Sequence, residues 1–166
     1  MEMYKRIASV TSDEDLADVT DELLDRYGEL PPEAGMLLEI SLLRAFCNSL
    51  GVSQVTRGKE GLLLKLDERF VPDPACLLQA ISETDGRLAL SARGAAHMVL
   101  KAPNLKEEEL LREGLKVMRA LSARVRELEA LKREAEKKAK EAAGGKPDEN
   151  TDENTDEKTN GRTGHE

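Results

Sequence analysis

Between Pro31-Pro32 and Gly51 the chain holds Met36, Leu37, Leu38, Ile40, Leu42, Leu43, Phe46, Cys47 and Leu50, which put apolar side chains on nearly every side of a helical wheel. A helix without a wide polar face must be covered on most sides, so residues 32–50 predict a central helix around which the others pack. The two prolines suit its first turn, where the missing N–H has no partner anyway, and Gly51 suits its stop. A second feature bounds the core from the other end. After Leu131 no Leu, Ile, Val, Met, Phe or Tyr occurs in the 166 residues, so the globular part lies in roughly the first two-thirds of the chain. That length supports one modest core.

Upstream of the central helix the signals are local and dense. Met3, Ile7 and Val10 are spaced for a short helix over 3–10. Thr11-Ser12-Asp13-Glu14 reads as a capping box, with the Thr11 hydroxyl accepting from a free amide and Glu14 reaching back. Leu16, Val19, Leu23 and Tyr27 then recur at three or four residues, the period of one buried stripe. Acids crowd the first turn, Arg26 stands in the last, and Gly28 supplies the left-handed stop.

Downstream the apolar period drops to two. Residues 52–57 and 62–66 flank the turn Gly58-Lys59-Glu60-Gly61, and 87–92 and 95–102 flank Arg93-Gly94. Between these hairpins Val71-Pro72-Asp73-Pro74 opens a helix with Leu77, Leu78 and Ile81 as its inner face. The expected class is α+β, with helices packed on a small antiparallel sheet of two hairpins. Pro103-Asn104 leads into a long helix over 105–143, striped by Leu111, Leu115, Met118, Leu121, Val125 and Leu128 and salt-bridged on its outer face. That stripe either docks on the core or pairs with a second copy as a coiled coil; docking early and projection past about Ser122 is the expected arrangement. Residues 144–166 contain a four-residue Asp-Glu-Asn-Thr repeat with nothing to bury and are expected to be a disordered acidic tail. The predicted organisation is an interaction domain over 1–122, the helix over 105–143 and that tail.

Charge and composition narrow the function. The net charge is −8, of which residues 146–166 carry −4, so neither part is basic. Phosphate backbones are bound by clustered Lys and Arg, and Lys5-Arg6 alone reads as solvated surface, so no direct nucleic-acid binding is expected. Cys47 and Cys76 sit in apolar runs and form no Cys-x-x-Cys, which fits free buried thiols in a reducing compartment. The first residues lack an apolar signal region, and no apolar run approaches the ~20 residues of a membrane span, so the chain reads as cytoplasmic. Gly58-Lys59-Glu60 lacks the upstream glycine and following Ser or Thr of a phosphate loop. His97 lies in an apolar strand and His165 in the tail, and no nucleophile–base set can be assembled. Neither a catalytic site nor a cofactor or metal is expected.

What remains is the charged side of the second helix. Glu22, Asp25 and Arg26 are mutual neighbours at i, i+3 and i+4, off the apolar stripe. Periodicity alone makes this a solvated face with an ion pair worth well under ~1 kcal/mol. Such a set can also offer bidentate contacts to a partner's arginines and acids.

Three stretches carry a resemblance. Met3-Tyr4-Lys5-Arg6-Ile7-Ala8, then Asp21-Glu22-Leu23-Leu24-Asp25-Arg26-Tyr27-Gly28-Glu29-Leu30-Pro31-Pro32, then the leucine-rich run into Gly51-Val52 resemble the C-terminal (TRCF) domain of the bacterial transcription-repair coupling factor family (Mfd). The resemblance covers about residues 2–121, with Tyr27 in place of the commoner Phe. It implies a non-catalytic domain of an ATP-driven DNA translocase that displaces stalled RNA polymerase and recruits nucleotide excision repair. The domain is implied to pack on the protein's own N-terminal repair-factor-binding module. There it would mask the surface for which the damage-recognition ATPase (UvrA) competes. The family's contact residues fall on Glu22, Asp25 and Arg26. Helicase motifs and the partner module are absent from these 166 residues, so a fragment of a longer protein is expected, monomeric and without a membrane contact.

Overall fold

The computed structural model describes residues 2–67, 69, 72–91 and 94–143. Three helices come first: α1 (Glu2–Ala8), α2 (Asp13–Tyr27) and α3 (Pro32–Ser49). A hairpin of β1 (Val52–Arg57) and β2 (Gly61–Leu66) follows, then α4 (Pro74–Ser82), a hairpin of β3 (Leu88–Ser91) and β4 (His97–Lys101), and α5 (Glu107–Ala143). The sheet is antiparallel throughout in the order β1-β2-β4-β3, so the second hairpin joins through its second strand and β1 and β3 form the edges. The fold is α+β, as expected. Leu62, Leu64, Leu66, Leu88, Met98 and Leu100 alternate onto the buried face, while Leu63 points to the other; Leu90, opposite Met98 on the edge strand, shares the inner face but is left 39% exposed.

Several local expectations need correction, among them Leu78, expected on the inner face of α4 but 52% exposed beside the buried Cys76, Leu77, Ala80 and Ile81. The cap of α2 is Ser12, whose Oγ accepts from the Asp15 N–H at 3.1 Å, while Asp15 Oδ2 accepts from the Thr11 N–H and hydroxyl at 3.0 and 2.6 Å. The box is thus Ser12-x-x-Asp15, one residue later than Thr11–Glu14, because either register places an acid three positions on. Tyr27 was expected in the buried stripe but is 59% exposed: Val19 and Leu23 anchor α2 inward, and Tyr27 in its last turn stands on the open groove beside α1. Finally, α3 is not buried all round. Leu38, Leu42, Leu43, Phe46 and Cys47 face α5 and the sheet, whereas Leu37 and Ile40 lie on an open side, because a two-layer fold covers only the flanks it can reach.

Helix α5 is docked over most of its length. Leu110, Leu115, Val117, Met118, Leu121, Val125 and Leu128 are buried, and polar fastenings accompany them. Ser122 Oγ lies 2.8 Å from Ser49 Oγ, Arg119 Nη2 donates to Asp13 Oδ1 at 2.7 Å, and Arg124 holds both oxygens of Glu83 at 2.6 and 3.0 Å. At the start of α4, the Asp73 N–H donates to Glu129 Oε1 at 3.0 Å and Lys132 donates to the Asp73 carboxylate. Docking therefore runs to Lys132, ten residues past the Ser122 boundary, because α4 extends the shelf on which the helix lies. All residues of 131–143 are exposed. The acidic tail of 144–166 lies outside the described residues, as does the turn residue Arg93.

Asp73 gives this docking a pH signature. Its carboxylate caps α4 by accepting from the N–H groups of Ala75 and Cys76 at 3.0 and 3.1 Å. The Lys132 ammonium, together with these bonds, holds its carboxyl down at about 2. A carboxylate held below its unfolded value contributes stability above that value and loses it as pH falls through the folded one. The stability of the chain should therefore drop between pH 4 and 2. Asp73→Asn keeps a capping oxygen but loses the ion pair, so it should lower the urea midpoint at pH 7 and flatten that acid slope. Urea midpoints across this pH range measure both.

Candidate functional site

The end of α2 is positioned by its neighbours in sequence. Val19 and Leu23 point inward and fix the rotation of the helix, and the Gly28 N–H donates to Leu24 O at 2.9 Å. Gly28 takes a positive φ of 77°, so the helix stops there and Pro31 redirects the chain into α3. Glu22 and Arg26 are thereby turned toward α1, and Asp25 away from it.

The structure joins two of the three expected residues and adds a fourth. Arg6 Nε donates to Glu22 Oε2 at 2.6 Å, and Arg26 Nη2 lies 3.2 Å from Glu22 Oε1, so one carboxylate bridges two guanidinium groups. Its side chain is 31% exposed, against 48% for Arg6 and 56% for Arg26. The hydrogen bond from Arg6 holds the Glu22 carboxyl below its ordinary range and in turn raises Arg6. Asp25 is exposed and makes no hydrogen bond or ion pair among the described residues. Arg6 was read as solvated surface because its partner lies 16 residues away. The available signal was Ile7: its burial fixes the rotation of α1, and that rotation carries the neighbouring Arg6 alongside Glu22.

Three large side chains of the same two helices are exposed. Tyr4, Tyr27 and Leu24 are 66%, 59% and 42% exposed. A groove of about 390 Å³ runs between α1 and α2, lined by Met3, Arg6, Ser9, Glu22, Arg26 and Tyr27. Tyrosine and arginine beside a groove are the residue types that anchor protein interfaces. Nothing comparable offers chemistry. Both cysteines are buried, with the Cys47 thiol pushed up to about 12 by its burial, so neither presents a thiolate. His97 Nδ1 lies 2.9 Å from Ala95 O. Among the described residues no cluster of three His, Cys, Asp or Glu could hold a metal, and no helix is long and apolar enough to cross a membrane.

Comparison with known proteins gives the chain its relatives. Residues 1–76 match the family model of the TRCF domain. The Mycobacterium tuberculosis (strain CDC 1551 / Oshkosh) transcription-repair-coupling factor is 39% identical over 75 residues, 45% of this chain and 6% of that protein. Its Escherichia coli (strain K12) counterpart is 35% identical over 78 residues, 47% of this chain and 7% of that protein. In Myxococcus xanthus the similarity extends over 120 residues at 28% identity, 72% of this chain and 10% of the relative. The chain thus spans a small fraction of the curated relatives it matches. Among solved structures, the C-terminal domain of transcription-repair coupling factor is similar at a TM-score of 0.62 and 25% identity, over 76% of this chain and 80% of that one.

Proposed function

We propose that this chain, whose residues 1–76 are a TRCF domain of the transcription-repair coupling factor family, is a non-catalytic regulatory module that holds a repair-recruiting surface closed. The partner is an N-terminal repair-factor-binding module of the same protein. The contact is made by Glu22, Asp25 and Arg26, and the excision-repair damage-recognition ATPase competes for the covered surface. The observation that carries this reading is the Glu22 carboxylate shared by Arg6 and Arg26 at a groove that the exposed Tyr27 also lines. Such a surface carries ordered charge at the edge of a groove and large amphipathic side chains for contact area. Asp25, without a partner of its own, is available to a cation on the opposing surface.

A mask of this kind has to be marginal. A contact within one protein enjoys a high effective concentration, so modest pairwise strength closes it, and engagement elsewhere can open it. Charge pairs at a half-wet interface fit that range and weaken as salt rises. Replacing Glu22, Asp25 and Arg26 together by alanine in the intact coupling factor should leave the domain folded by circular dichroism. The same variant should bind the damage-recognition ATPase about 5- to 150-fold more tightly, the usual span of coupling between two sites. Titration of that ATPase against both proteins measures it; equal affinity for mutant and wild type would exclude masking.

A further inference from the structure

Arg6 lies on a different helix from the recognition residues, yet it is the closest partner of the central one. An i,i+4 pair such as Glu22–Arg26 exchanges freely with water on an isolated helix. Here the carboxylate is gripped from the far side as well, at 2.6 Å on Oε2, leaving the 3.2 Å contact with Arg26 on Oε1. The grip comes from a fixed backbone, since Ile7 and Val10 beside it are 4% and 2% exposed. Oε2 then accepts the Arg6 N–H, while Oε1, in ion-pair contact with Arg26, keeps its acceptor capacity for another donor. The ordering of a flexible glutamate is therefore completed when the domain folds and is not charged against partner binding.

We propose that Arg6 is the positioning residue of the partner-binding surface: by holding the Glu22 carboxylate from α1 it sets the orientation that the partner meets. This rests on the masking function proposed above. Arg6 acts through Glu22 and need not touch the partner, so its effect must vanish when Glu22 is gone. The lowered Glu22 carboxyl agrees with the geometry, keeping the acceptor ionised across the physiological range.

The test uses the intact coupling factor and the damage-recognition ATPase, with Glu22→Ala, Arg6→Gln, the double variant and the exchange pair Arg6→Glu/Glu22→Arg. Glu22→Ala and Arg6→Gln should each raise ATPase affinity by about fivefold or more, and the double variant by no more than about twofold beyond Glu22→Ala alone. The exchange pair restores the ion pair between α1 and α2 against a new like-charge contact with Arg26, so it should recover most of the melting temperature that Arg6→Gln loses. It should nonetheless remain unmasked, an outcome that loss of fold cannot produce. If Glu22→Ala leaves affinity unchanged, the masking reading fails and this inference with it. If Glu22→Ala unmasks while Arg6→Gln does not, or if Arg6→Gln is equally effective without Glu22, the positioning role alone is overturned.

Discussion

Replacing Gly61 by alanine will destabilise the domain by about 3 kcal/mol or more, while the same change at Gly58 will move it by less than ~0.5. Both glycines belong to the turn between β1 and β2, and both gain the same methyl group. They differ in what that methyl meets. Gly61 has a φ of 141°, and a Cβ there would fall 2.0 Å from Leu100 O and 2.7 Å from Ala102 N. Those are backbone atoms of the neighbouring strand and its continuation, paired with this turn through Gly61↔Lys101 and the Ala102 N–H to Glu60 O bond at 2.8 Å. Relief would need the two central strands to part, and the alternate Leu62 and Leu64 would follow them out of the core. At Gly58 the nearest atom is Gly61 O at 3.8 Å, an ordinary contact. Each substitution removes a similar amount of unfolded-chain entropy, so the difference between them isolates the native clash. Urea midpoints at constant m-value measure it, and similar midpoints for both variants would contradict the strand pairing described.

Legibility divided along the same line between local and distant causes. The Gly28 stop, the Pro31-Pro32 restart and the Gly58–Gly61 turn are encoded by residues that act on their own backbone, and the structure places all three where the residues put them. Glu22 and Arg26 are brought together because four residues on a helix always are. Asp25, placed with them by the same rule, is turned away once Val19 and Leu23 fix the face that points inward. Arg6 could not be found in this way, since its contact depends on how α1 lies against α2. Tyr27 and Ile40 fail for the complementary reason: their spacing is that of buried residues, but Tyr27 stands on the open α1–α2 groove and Ile40 beside β1, and in neither place is the side chain covered. The apolar stripe of α5 was ambiguous by nature, because period alone does not distinguish a shelf in the same chain from a second helix.

Ending the chain after Lys106, so that α5 is lost, will abolish cooperative folding, and ending it after Ser122 will cost a large part of the stability. Seven side chains of α5, from Leu110 to Leu128, leave solvent on docking. At about 1.5–3 kcal/mol for each apolar side chain buried, their sum is about 10–21 kcal/mol, as large as the whole ~5–15 kcal/mol that separates a domain from its unfolded state. The Ser122 truncation keeps the first five but loses Val125 and Leu128, about 3–6 kcal/mol by the same measure. It also loses the hold of Arg124 on Glu83 and of Glu129 and Lys132 on the Asp73 cap. Ending after Glu134, by contrast, removes only exposed residues and should leave the melting temperature nearly unchanged. Thermal melts with sedimentation of the three chains separate this from a coiled-coil role for α5. A coiled coil predicts a dimer that becomes a folded monomer after Ser122, whereas docking predicts a monomer throughout that loses its fold. The second outcome bears on masking too, because Arg119 ties α5 to Asp13 at the start of α2. A chain cut at or before Ser122 should release the mask although it still contains every recognition residue, so an unmasked phenotype identifies the binding surface only in variants whose melting temperature is intact.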